Sequence, residues 1–219
     1  MMSIIGFIFL ILLNTSGLER TSIAEGIAAD YEMLGDIKPS KAAWDMALKG
    51  YNQISQKYDL NKNKPYLTVI DFTLPSTEKR LWLIDVSNNS VLIHTFVAHG
   101  KNTGDLVAEL FSNKLSSYQS SLGFYITGGT YVGKNGYSLY LDGIEKGIND
   151  KARERAIVMH GAWYANASMI EKFGRLGRSY GCPSVPEEIH RELIDTISEK
   201  TVLFIYHSSP SYSKSSIFY

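Results

Sequence analysis

One cysteine stands in 219 residues, so no disulfide can form within the chain. A single thiol with no compact His/carboxylate cluster around it also argues against a zinc site, and no metal or cofactor is expected. Charge of one sign is missing as well: Lys plus Arg and Asp plus Glu number 22 each. That balance removes the basic field nucleic acid needs and any electrostatic reason to lie on an anionic membrane. No apolar run reaches the roughly 20 residues of a spanning helix. Residues 4–13 are apolar apart from Gly6, a length suited to a signal-peptide core, and Thr15, Ser16 and Gly17 follow as a small-residue cleavage zone. Residues 1–17 therefore read as a signal peptide, with an uncleaved anchor as the alternative. No Cys follows the run, which excludes a lipid-modified cysteine. The chain is expected to be exported. An exported protein that keeps one thiol invites either a reactive role or an intermolecular bridge.

What is present suits one domain with ample length for a core. Residues 18–63 read as a helical segment packed on that core. Within it, 18–36 carry a weak helical pattern. Ser40 then caps a helix in which Trp44, Ala47, Leu48, Tyr51, Ile54 and Tyr58 recur at helical spacing. From residue 64 the texture turns to strands, expected at 66–72, 80–86, 91–98, 124–127, 137–141, 156–160 and 202–206, with a hairpin turn at 87–90. A helix is expected over 186–200, and 208–219 reads as a polar tail. The result is a β-rich α+β domain over residues 64–207. Gly128-Gly129-Thr130-Tyr131-Val132-Gly133-Lys134-Asn135 approaches a phosphate-binding loop. Asn135, however, stands where Ser or Thr must hold magnesium, and a strand follows instead of a helix, so no nucleotide is expected.

The chemistry concentrates between residues 157 and 186. Cys182 lies in Ser179-Tyr180-Gly181-Cys182-Pro183, and His160 stands 22 positions earlier at the end of an apolar run. One thiol, one imidazole and glycines beside both are what a cysteine nucleophile with a general base requires. A buried thiol and a structural histidine are the plain alternative. Ser184 and Glu187 have capping-box spacing, and Pro186 suits a first helical turn. Cys182 is therefore expected just ahead of a helix N-terminus, whose dipole favours thiolate.

His160-Gly161 followed by Ser179-Tyr180-Gly181-Cys182 resembles the signature of bacterial L,D-transpeptidases, the YkuD-type catalytic domain, in its divergent murein branch. His99-Gly100-Lys101-Asn102, Phe111-Ser112-Asn113, Ser121-Leu122-Gly123 and Leu141-Asp142-Gly143 look like the same branch. Two positions depart from the usual pattern: Tyr180 replaces a histidine, and Ser184 an asparagine. The resemblance implies a mixed, sandwich-like β-structure with an N-terminal helix, a helix after the cysteine, and the Cys/His pair in one open groove. It also implies acyl transfer on peptidoglycan stem peptides. Cys182 would be the nucleophile, His160 the base, and the Gly161 carbonyl its orienter. The N–H groups of Tyr180, Gly181 and Cys182 would form the oxyanion site. Alternation suggests that the Tyr180 and Cys182 side chains share one side. Arg178, Ser179, Ser112, Asn113 and His99 are the candidate substrate contacts. An L,D-carboxypeptidase or endopeptidase, an inactive wall-binding module, and a redox or bridging thiol remain open as alternatives.

Overall fold

The computed structural model describes residue 27 and residues 29–218; the expected signal segment lies outside them. The helix begins where Ser40 predicts: Ser40 Oγ accepts from the Ala43 N–H, and α1 runs Lys41–Lys57. Its buried stripe includes Ala43, Trp44, Ala47, Tyr51 and Ile54. Gly50 lies on that stripe too, because any Cβ there would sit 2.0 Å from Phe124 Cζ. Of the weakly patterned 18–36 stretch, the described part holds one 3-10 turn, Glu32–Leu34.

The strands are β1 Tyr66–Asp71, β2 Leu81–Asp85, β3 Ser90–Thr95, β4 Gly123–Gly133, β5 Gly136–Gly143, β6 Val158–Gly161, β7 Ser184–Val185 and β8 Val202–Tyr206. They form one mixed sheet in the order β3-β2-β1-β8-β4-β5-β6-β7. β1 pairs parallel to β8 and β6 parallel to β7; the other pairings are antiparallel. β2 and β8 are buried along their whole length, as their continuous apolar runs require. The chain leaving β3 crosses to the far edge, where Ala98 bridges Ser184 of β7. The two edges thereby meet and the sheet curls on itself. The fold is α+β and sheet-rich, as the sequence indicates. The loop-like Gly128–Asn135 stretch belongs to the long β4–β5 hairpin.

Two expectations change. The helix after the cysteine, α3, spans only His190–Ile197, with no side-chain cap at Ile189. Ser184 is a strand residue, so the capping box does not form and Cys182 does not precede a helix N-terminus. The expected polar tail folds back instead: α4 spans Pro210–Ser215, and Tyr212 and Phe218 are buried. Phe218 meets Phe124 edge-on at 5.2 Å, and Phe124 stacks on Phe204 at 4.1 Å. Hydrophobic burial outweighs the polar residues around these two anchors. The remaining helix, α2, spans Ala167–Phe173 and carries no buried residue.

Candidate active site

Two short parallel strands build the site. Their register sets His160 of β6 opposite Ser184 of β7. Cys182 lies two residues before that pair, so the pairing carries the 179–183 turn to the His160 end of β6.

Ser179 shapes the turn. Its N–H donates to the His99 carbonyl at 2.9 Å, and its own carbonyl accepts from Lys101 N–H at 2.8 Å. Its hydroxyl donates to the Cys182 carbonyl at 2.7 Å and accepts the Gly181 N–H at 3.0 Å. Gly181 has φ of 121°, and a Cβ there would fall 2.7 Å from the Gln119 carbonyl oxygen. Only glycine meets both demands. The same left-handed residue breaks the alternation: Tyr180 is 67% exposed, whereas Cys182 is 7% exposed. The two side chains thus part, contrary to expectation. The Gly181 N–H is already engaged by Ser179, which leaves the N–H groups of Tyr180 and Cys182 as the remaining donors of the turn.

The Cys182 thiol donates to the Ala156 carbonyl at 3.7 Å. Ala156 holds the left-handed conformation, with φ of 53°. Burial pushes the thiol above its ordinary range, and the Val158 N–H and the Arg155 charge oppose that rise. The group is therefore a thiol, not a thiolate, at neutral pH.

His160 is 5% exposed, not set in an open groove. Its Nδ1 lies 2.9 Å from the Gly161 carbonyl oxygen, which can only accept, so the proton resides on Nδ1. Nε2 must then accept, and the Ser184 hydroxyl donates to it at 3.0 Å. The Tyr164 hydroxyl donates in turn to Ser184 Oγ at 3.1 Å. Burial pushes the imidazole below its ordinary value, with the neighbouring His190 charge adding to the effect, so the ring is neutral at pH 7. A Cβ on Gly161 would meet the His190 ring at 2.6 Å, which explains the glycine. Among the described residues no hydrogen bond joins Cys182 to His160. Each is held by another partner.

The other candidate residues separate. His99 is 1% exposed: Arg80 Nη2 donates to its Nδ1 at 2.8 Å, and its Nε2 faces the Gly104 carbonyl at 3.4 Å. It underpins the Ser179 turn and offers no open face to a substrate. Arg178 pairs with Asp105 at 3.0 Å and donates to the Gly104 carbonyl at 3.1 Å, tying one loop to another. Ser112 and Asn113 line a cavity of about 210 Å³ against Tyr212 of α4. Asn113 is held there by Asp150 at 2.7 Å. Sequence reasoning missed Ser184, Tyr164 and Arg155. Ser184 was visible as a helix-capping residue and a departure from a signature, Tyr164 as one of many tyrosines, and Arg155 as part of a charged run that reads as solvated.

The family described as L,D-transpeptidase catalytic domain matches residues 36–206. Among solved structures, an L,D-transpeptidase from Stackebrandtia nassauensis is 13% identical, with a TM-score of 0.41, over 75% of this chain and 68% of its own. An L,D-transpeptidase from Mycobacterium smegmatis is 11% identical, with a TM-score of 0.39, over 65% of this chain and 59% of its own. This chain thus spans less than two thirds of the latter's length. No curated protein matches the chain. Among the described residues no helix is long and apolar enough to cross a membrane.

Proposed function

The chain belongs to the L,D-transpeptidase catalytic domain family, and on that premise we propose that Cys182 carries acyl transfer on peptidoglycan stem peptides with His160 as general base. The observation that carries this reading is the fixed tautomer: Nδ1–H is committed to the Gly161 carbonyl, so Nε2 is the proton acceptor of the strand that pairs beside the Cys182 turn. The neutral thiol and neutral imidazole make this a general-base mechanism and not a preformed ion pair.

Binding turns the thiol from Ala156 towards Nε2, which Ser184 releases. Sγ then attacks the carbonyl carbon as its proton passes to Nε2, and the oxyanion takes the N–H groups of Tyr180 and Cys182. A preorganised donor of this kind contributes about 3 kcal/mol. The C–N bond breaks, and His160 returns the proton to the departing amine. The resulting thioester meets a second stem amine to give a crosslink, or water to give trimming. In either case Nε2 takes the acceptor's proton and the thiol is restored. The export reading for residues 1–17 places such a substrate within reach.

Mass spectrometry of the purified protein with a disaccharide-tetrapeptide tests the reading. We expect a covalent acyl adduct on Cys182, absent in Cys182→Ala, followed by crosslinked or hydrolysed product. Adduct that persists in Cys182→Ala refutes the nucleophile. The buried thiol favours one rival, an inactive wall-binding module, which predicts binding to wall fragments without any adduct.

A further inference from the structure

Arg155 immediately precedes Ala156, whose carbonyl receives the Cys182 thiol. Its guanidinium turns back across the site. Nη1 donates to the Ser112 carbonyl at 2.7 Å and to Ser121 Oγ. Nη2 donates to Ser117 Oγ at 3.2 Å and to the Gln119 carbonyl. Every one of these partners is neutral, and among the described residues no carboxylate pairs with Arg155. The same Nη2 abuts the catalytic turn: it would lie 3.4 Å from a Cβ built on Gly181, next to Cys182. The segment that clasps the guanidinium also clasps the turn, since Ser120 Oγ donates to the Gly181 carbonyl at 3.1 Å. A half-buried cation held only by neutral acceptors keeps its field unspent, whereas a salt bridge would cancel it.

We propose that Arg155 is a positioning residue for Cys182, a fixed positive charge held beside the turn by residues 112–121 to favour formation of the thiolate during attack. The proposal rests on the reading of Cys182 as nucleophile and deepens it. It supplies what the absent helix N-terminus does not. The other titratable groups facing the thiol or the guanidinium are His160 on β6, Tyr164 after it, Tyr180 on the turn itself and Tyr125 on β4. Glu154 and Lys101 lie at the rim. His160, with its pKa lowered, and Tyr164 and Tyr125, with theirs raised, are neutral at pH 7, so Arg155 is the dominant fixed charge. Burial opposes that charge and lowers the Arg155 pKa, while the developing thiolate favours it.

Alkylation by iodoacetamide, followed by intact-protein mass against pH, tests this without any wall substrate. Arg155→Gln should alkylate about tenfold more slowly below the midpoint, with the midpoint moved up by about one unit and the high-pH plateau unchanged. Arg155→Lys, which keeps the charge, should stay within about threefold of wild type. A wild-type midpoint in Arg155→Gln overturns the proposal, as does an Arg155→Lys midpoint displaced as far as that of Arg155→Gln. Mere loosening of the loop would change the plateau and leave the midpoint in place. If Arg155→Gln loses its near-UV circular dichroism, Arg155→Lys decides alone: a wild-type midpoint supports the charge role, and a shift of one unit or more removes it. A protein that behaves this way yet acylates no stem peptide keeps the Arg155 assignment and loses the transpeptidase reading.

Discussion

Acid should loosen the turn that carries Cys182 through His99. Burial, reinforced by the Arg80 charge, pushes this imidazole from the ordinary 6.5 down to about 4. The cause is visible in the contacts: Nδ1 must remain a lone pair to accept from Arg80, itself buried and pushed down to about 9. Protonation would set an N–H against a guanidinium. Because the folded pKa is depressed, the unfolded chain binds the extra proton between pH 6.5 and 4. Stability from this group is complete above 6.5 and is lost as the pH falls towards 4. Integrating that difference gives a loss of about 2 kcal/mol by pH 5 and about 3 kcal/mol by pH 4. The effect reaches the site because the His99 carbonyl holds the Ser179 N–H at 2.9 Å. Urea unfolding of wild type and His99→Asn at pH 7.5 and pH 5 measures it. Asn keeps an acceptor for Arg80 but does not titrate, so it should lose about 2 kcal/mol less on acidification. It should be weaker at pH 7.5, having given up the ring that meets Phe72 edge-on at 5.9 Å. His94, His160 and His207 also sit below the ordinary value and are common to both proteins, so they cancel in the comparison. Equal acid losses in the two proteins would refute the account.

His160→Ala should slow acylation of Cys182 about 100-fold or more with the fold retained, and wild-type acylation should rise with pH to a midpoint below 6.5 as the imidazole deprotonates; a wild-type rate in the variant would make the histidine structural. Tyr180→Phe should acylate as wild type does, because the exposed ring contributes only its contacts with Tyr118 at 4.9 Å and Lys101 at 4.7 Å. Ser179→Ala should be the more damaging change in the turn, since it removes two hydrogen bonds, each worth about 1 kcal/mol. Rates for the two variants decide this, and a dead Tyr180→Phe would make the phenol catalytic. Phe218→Ala should destabilise the chain by about 3–5 kcal/mol, a cost read from urea midpoints that a free polar tail would not show.

The strands and the first helix were legible because their signals are local. Ser40 ahead of a 3.6-residue stripe, and continuous apolar runs at β2 and β8, state their conformation without help from distant residues. Cys182 and His160 were legible as the only thiol and a histidine at a strand end, each beside a glycine. What the sequence could not settle is where neighbouring side chains point and what they meet. Ser184 carries a helix-capping pattern, yet pairing of β7 with β6 gives its hydroxyl a buried imidazole, and that contact overrides a weak local preference. Tyr180 and Cys182 follow an alternating pattern until Gly181 adopts a positive φ, at a place where Gln119 and Ile157 leave no room for a Cβ. His99 looks like a groove residue until Arg80, 19 positions away, takes its lone pair. Phe218 ends a serine-rich stretch whose composition says solvent, but Phe124 and Phe204 offer it a core. Local sequence determined the elements and singled out Cys182 and His160 as the candidate pair. Only the closing of the sheet, which joins residues far apart in the chain, decided which charges, carbonyls and hydroxyls that pair would face.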